Sequence, residues 1–330
     1  MAAPDRPAQR RALVTGGAGF IGSHTVAALL AAGWRVDVLD NLSSGDPANL
    51  PPEACLQLGD IRSDSDVDAA FRGGPYDAIV HCAAQTNVGH SMTDPGLDWE
   101  INVRGTLRLL EASERQGSGR FVFISSGGAI YGNTAYPVTE DTLPAPASYY
   151  GLHKYAAEQL LRAKSPSHAI LRPSNVYGPR QRSDIEGGVV AIFAQQLREG
   201  RSVRINGDGL QSRDFVHVRD LAAAVLLAID WPGNLMWNVS TGRGTTIIQL
   251  ARLMSEIGNR ELSLTYGPTR AGDVESSVLS PALLLNTGCW GPPLSLKEGL
   301  SERVDPSLVK TQPLTSPEGW SGRVLRLPEL

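Results

Sequence analysis

Tyr150 and Lys154 stand four residues apart, so on a helix they share one face. A phenol of ordinary pKa ~10 is a poor base at neutral pH, and a neighbouring cation favours its ionised form. A Tyr/Lys pair so spaced can therefore move a proton, although the same spacing also occurs on plain amphipathic surface helices. Tyr149 lies five residues from Lys154 and points to another face, which leaves Tyr150 as the acid–base candidate. Far upstream, Gly16, Gly19 and Gly22 have the spacing G-x-x-G-x-x-G between an apolar run, Ala12 to Thr15, and a helical pattern, Ile21 to Ala32. Such a turn lets the backbone close on a pyrophosphate at a helix N-terminus. About twenty residues later, in the usual spacing, a strand ends in Asp40. A carboxylate there accepts from adenine ribose hydroxyls and repels a 2′-phosphate, which favours NAD over NADP. The other reading of Asp40 is a strand-end residue before the loop Asn41 to Gly45. Glycine turn and Tyr/Lys pair together point to a protein that binds NAD and moves a proton and a hydride.

The elements needed to position these groups are legible as alternating strands and helices from Arg11 to about Asn175. Apolar runs at 12–15, 35–40, 55–58, 78–83, 121–125 and 169–172 predict strands, and patterns at 66–71, 98–116 and 149–163 predict helices between them. Gly33 occupies a C-cap position after the first helix. Near-continuous apolar strands alternating with helices predict an α/β fold, a Rossmann-like doubly wound parallel sheet. After Pro173 the alternation fails. Helices are expected at 187–199, 218–229 and 246–257 and a strand at 236–239, forming a smaller C-terminal lobe at the carboxyl ends of the sheet strands, where such folds bind ligands. The expected division is a disordered N-terminus (1–10), an NAD-binding domain (11–174), a nucleotide-sugar-binding lobe (175–305) and an irregular Pro/Ser/Gly-rich tail (306–330).

Charge excludes some partners. Thirty basic against thirty-four acidic residues give a net charge of −4 with no like-charge block, so neither a nucleic-acid track nor an anionic-membrane surface is expected. Cys55, Cys82 and Cys289 are too scattered for a metal site or a disulfide framework, which points to a reducing cytoplasm. Met1 to Arg11 lacks the apolar segment of a signal peptide, and no run reaches the ~18 apolar residues of a membrane span.

Further motifs follow in order: V-L-D-N at 38–41, G-D-I at 59–61, H-C-A-A-Q at 81–85, N-V-R-G-T at 102–106 and S-S-G-G-A-I-Y-G at 125–132. Y-G-L-H-K at 150–154, L-R-P-S-N-V-Y-G at 171–178, R-D-F-V-H-V-R-D at 213–220 and R-A-G-D-V at 270–274 complete the set. On these, from about Arg11 to Val304, the chain resembles extended short-chain dehydrogenases/reductases of the NAD-dependent sugar epimerase/dehydratase family, most of all UDP-glucose 4-epimerases. The resemblance implies that Gly16, Gly19, Phe20, Ile21 and Gly22 meet the cofactor pyrophosphate, with Asp40, Asn41 and Ser44 beyond them. Asp60 and Ile61 would flank the adenine, Ala83, Ala84 and Gln85 would line the nicotinamide half, and Asn102 would hold the active-site backbone. Lys154 would hydrogen-bond the nicotinamide ribose and lower the pKa of Tyr150. Asn175, Arg213, Arg270 and Asp273 would hold the nucleotide diphosphate, the arginines on phosphate oxygens and Asp273 on the ribose. Arginine suits a bidentate phosphate grip.

One departure stands out. Related epimerases place a catalytic Ser or Thr four residues before the tyrosine of the turn, here Tyr131, and that position is Gly127. Ser126 is the expected hydroxyl relay, with Ser125 as the alternative. Dehydratases and decarboxylases resembling this chain carry acidic residues in that turn, where Gly128 and Ala129 stand. The resemblance therefore implies C4 epimerisation of a UDP-sugar through a 4-keto intermediate, in a cytoplasmic enzyme expected to be a homodimer. Its alternatives are a nucleotide-sugar dehydratase or reductase, or a catalytically idle NAD-sensing protein. Ser277, four places after Asp273, borders the sugar C2 substituent in that resemblance, and its small size leaves room for an N-acetyl group beside plain hexoses.

Overall fold

Strands whose residues are all apolar or satisfied in place need cover on both faces, and the central strands are of this kind. Ala78–His81, Arg120–Ile124 and His168–Pro173 are buried at every residue. The computed structural model describes residues 9–134, 137–184, 188–269, 274–291 and 293–304. In chain order its strands are β1 (Arg11–Thr15), β2 (Arg35–Asp40), β3 (Cys55–Leu58), β4 (Ala78–His81), β5 (Arg120–Ile124), β6 (His168–Pro173) and β7 (Asn175–Tyr177). They continue as β8 (Val203–Asn206), β9 (Ser212–His217), β10 (Leu235–Val239), β11 (Gly244–Thr246), β12 (Leu264–Gly267) and β13 (Ser276–Ser277).

A seven-stranded sheet runs β10-β6-β5-β4-β1-β2-β3, each pair parallel. The expected doubly wound sheet is thus present. Its order reverses between β1 and β4, opening a crevice at their carboxyl ends. The helix Phe20–Ala31 follows β1 and ends as Gly33 takes φ +84°, with Trp34 N–H donating to Leu29 O at 3.0 Å.

Three expectations change. The helix foreseen over 98–116 is instead Pro95–Trp99, a π-helical turn at Glu100–Gly105, and Thr106–Gln116. Thr106 Oγ1 takes up the Asn102 carbonyl inside this wide turn, at 2.7 Å. Second, the chain does not leave the sheet for good at residue 174. The helix Val218–Asp230 packs on the Phe20–Ala31 helix, β10 pairs with β6, and Leu221, Trp237 and Trp290 share one apolar core with Val14 and Val80. Apolar area at the sheet edge is buried by returning chain, and periodicity within one segment does not reveal that. Third, the end of the segment expected to be disordered is tied down: Arg10 pairs with Asp230 at 2.7 Å, and Gln9 donates to Gly33 O.

The remaining strands form the smaller lobe. β9 is flanked by β11, β13 and β7, and β8 pairs with β12. A separate core of Phe193, Ile205, Phe215, Leu250 and Met254 fills it. The tail from 305 onward lies outside the described residues. Among the described residues no helix is long and apolar enough to cross a membrane.

Candidate active site

At the crevice, backbone comes closer to backbone than side chains permit. Gly16 has φ +66°, and a Cβ there would lie 2.6 Å from Ala83 N. A Cβ on Gly22 would lie 2.1 Å from Gly16 O, whereas on Gly19 it would meet only that carbonyl at 3.2 Å. Gly19 caps the helix that Phe20 and Ile21 open, without a side-chain hydrogen bond to its N–H groups and without an acidic residue in the first turn. Those donors and the helix dipole suit a pyrophosphate.

Asp40 is buried, and its two oxygens accept from Ala18 N at 2.9 Å and Leu42 N at 2.8 Å. The sequence offered turn residue and ribose acceptor as alternatives; the structure gives Asp40 the turn contacts, and a second lone pair on each oxygen stays available. Asn41 Nδ2 donates to Asp60 Oδ2 at 2.8 Å, and Arg62 grips the same carboxylate. The Arg62 hydrogen bonds hold Asp60 well below the usual carboxylate range. Ile61 is buried against Gly105, and Ser44 is half-buried in the loop that follows Asn41.

Ala83 and Ala84 are half-buried beyond β4, and Asn102 clamps the next residue in both directions. Gln85 N donates to Asn102 Oδ1 at 3.1 Å, and Asn102 Nδ2 donates to Gln85 O at 3.0 Å.

Tyr150 and Lys154 lie in the helix Tyr149–Lys164, both buried. Ser148 caps it by accepting from Gly151 N at 3.2 Å, and Tyr150 N donates to Ser91 Oγ at 3.1 Å. Burial pushes the Tyr150 phenol up to about 12, Asp98 adds to this, and a hydrogen bond with Ser126 opposes it. Lys154, pushed down by burial to about 8, places Nζ 4.2 Å from the centre of the Phe123 ring. Burial is the largest cause of the Tyr150 shift, and Ser126 opposes it.

The two serines are separated by what they touch. Ser125 Oγ donates to Glu158 Oε1 at 2.5 Å, inside a buried pair in which Arg172 grips Glu158 and Tyr131. Ser126 is the neighbour that favours ionisation of Tyr150. At Gly127 a Cβ would lie 2.3 Å from Leu279 Cδ1, so a side chain there would require the leucine to shift. At Gly128 a Cβ would meet only Ser277 Oγ at 3.7 Å and Asn175 Nδ2 at 3.9 Å.

Three of the residues expected at the substrate meet around β9. Asn175 Nδ2 donates to Asp214 O at 3.2 Å, and Ser277, buried, pairs in register with Arg213. Arg213 is half-buried, its Nη1 on Ser212 O at 2.9 Å. Arg270 and Asp273 lie outside the described residues.

The profile of the NAD dependent epimerase/dehydratase family matches residues 12–240. The chain belongs to that family. It is 41% identical over 299 residues to a putative UDP-glucose 4-epimerase of Methanocaldococcus jannaschii, covering 89% of this chain and 97% of that one. Among solved structures it is similar to the Thermus thermophilus UDP-glucose 4-epimerase complexed with NAD (TM-score 0.85, 41% identity, 89% and 98% of the two chains). The Thermotoga maritima UDP-glucose 4-epimerase with UDP-glucose gives TM-score 0.86 at 41% identity, covering 89% and 97%.

Sequence reasoning missed Asp98, His153, Ser91 and the Glu158–Arg172 pair. Asp98 and Asn102 stand four apart, a helical spacing that marks a shared face, and His153 precedes Lys154. Ser91 and Arg172 carry no comparable signal.

Proposed function

We propose that the protein epimerises UDP-sugars at C4. The observation that carries the reading is the buried Tyr150 phenol, whose ionisation Ser126 favours, one helical turn from buried Lys154. Gly16, Gly19, Gly22, Asp40 and the Gln85 loop would hold NAD, and their close approaches and open helix N-terminus fit it. Bound there, NAD supplies a hydride acceptor for C4 that can return the hydride, and its positive ring favours the phenolate.

Tyr150, as phenolate, takes the proton of the 4-hydroxyl, and Ser126 bridges sugar and phenol. Lys154 would hydrogen-bond the nicotinamide ribose. A 4-keto sugar that turns over while its diphosphate stays on Arg213 and Arg270 presents its other face, and Tyr150 then returns the proton. Asn175 and Asp273 would complete the nucleotide grip. Gly128 and Ala129 offer no acid to a C6 hydroxyl, which separates this turn from a dehydratase.

Ser277 is small and faces the open side of Gly128, which supports acceptance of N-acetylated hexoses beside UDP-glucose and UDP-galactose. Tyr149 and Leu152 of the catalytic helix and Met92 and Trp99 of neighbouring helices are exposed, and Trp99 and Tyr149 both pack near His153. That apolar patch supports a homodimer, and sedimentation tests it. The three free cysteines agree with a reducing cytoplasm. The function itself is tested by incubating the protein with a panel of UDP-sugars and following C4 inversion by NMR. Conversion of UDP-glucose to UDP-galactose is expected, and a 6-deoxy-4-keto product or no reaction overturns the reading.

A further inference from the structure

Two buried side chains outside the chemistry described above join the cofactor side of the cleft to the catalytic helix. Asp98 is fully buried, and its oxygens accept from Gln85 Nε2 and from His153 Nδ1, each at 2.6 Å. A carboxylate only accepts, so His153 Nδ1 carries the hydrogen. Gln85 is clamped at its backbone by Asn102, and His153 is next to Lys154 in the helix of Tyr150. One carboxylate thus ties the loop at Gln85 to that helix. A buried carboxylate is costly unless well paired, and a neutral amide could make a tie of the same length. The charge itself calls for a role.

We propose that Asp98 and His153 are a positioning pair: together they hold the Gln85 loop against the catalytic helix, Asp98 sets the electrostatic field at Tyr150, and His153 tempers it. The proposal rests on Tyr150 being the general base. Burial is the main cause of the raised Tyr150 pKa, and Asp98 adds to it. The same carboxylate favours the ammonium of Lys154 against its burial.

Other charged and titratable groups lie on the packed elements, among them Arg108 and Arg115, paired with Asp64 and Asp68, and Asp94, which accepts from Leu97 N. Glu158 is paired with Arg172 of β6. Glu100 is paired with Arg104, and Glu111 of the 106–116 helix with Lys164 at the far end. His90 is exposed on the 88–93 helix. His81 of β4 is fixed between Thr15 and Thr106, and Cys82 beyond it is pushed up by burial to about 12. Tyr149 packs on the His153 ring from the same helix.

The test is the pH dependence of kcat and KM for UDP-glucose conversion by the NAD-loaded wild type, Asp98→Asn, His153→Leu and His153→Gln. Asp98→Asn should move the acid limb, where activity falls as Tyr150 protonates, to lower pH by about one unit, the size of a neighbouring-charge effect. His153→Leu should move it to higher pH. His153→Gln, which keeps a donor for Asp98, should return most of the way. KM should change less than kcat, because neither side chain is expected to touch the sugar. A limb that stays in place while kcat falls in all three variants overturns the proposal, as does a wild type with no acid limb. Asp98→Asn is nearly isosteric and carries the test alone if His153→Leu does not fold. Activity retained by Tyr150→Phe is a different result, and it would overturn the general-base reading instead.

Discussion

The glycine turn at residues 16–22 is built from missing side chains, whereas the strands around Arg213 bring together side chains of distant segments. In the turn, a methyl group on Gly22 would stand 2.1 Å from a carbonyl oxygen, so composition there is dictated by backbone approach. Around β9, Asn175, Arg213 and Ser277 meet because β7 and β13 each pair with β9. Backbone recognition is compact in sequence and indifferent to what the ligand carries beyond its phosphates. Side-chain recognition is dispersed, and its residues can change one at a time. The cofactor end should therefore fail as a unit, and the substrate end should change its choice of ligand.

The sharpest break lies between the two ends, at Tyr150. Tyr150→Phe should abolish turnover while NAD and UDP-sugar binding persist, because only the ionisable oxygen is lost and ring packing is kept. Activity assays beside cofactor-binding titration check this. Ser126→Ala should lower kcat by roughly 10²- to 10⁴-fold, the span of a lost proton-transfer partner. Ser125→Ala should affect kcat less and thermal stability more, since it leaves the buried Glu158 one donor short. The reverse order of kcat effects would hand the relay to Ser125.

Sequence legibility follows the same contrast. The G-x-x-G-x-x-G spacing, the Asp40 strand end and the Tyr/Lys pair were readable because each is local, within one turn or one strand and its loop. The turn contact of Asp40 with Leu42 was one of the two readings offered, but its hold on Ala18 was not readable, since it depends on how two loops lie together. Nor was the return of β10 to the sheet, which needs the apolar edge left by β6. Ser125 and Ser126 are chemically identical in sequence, and only the positions of Glu158 and Tyr150 tell them apart.

At the cofactor end, Asp40→Ala should weaken NAD and relax its preference over NADP, measured by binding both cofactors. Because Asp40 also holds two backbone N–H groups, a loss of thermal stability should accompany the change. An unchanged NAD/NADP ratio would shift selection to the loop after Asn41. The smallest effect is expected at the substrate end. Ser277→Tyr should remove activity on N-acetylated UDP-sugars and spare that on UDP-glucose, because steric exclusion discriminates more strongly than a missing contact. Equal loss of both activities would mean that a buried tyrosine disturbs β13 and does not gate the sugar.

The central claim is that C4 inverts by loss and return of its own hydrogen, with Tyr150 handling only the hydroxyl proton. UDP-glucose carrying deuterium at C4, incubated with the protein in ordinary water, tests this directly by NMR. The account predicts UDP-galactose that retains the deuterium at C4, and no such product from Tyr150→Phe. Deuterium washed out to solvent, or the same product formed by the phenylalanine variant, would contradict it.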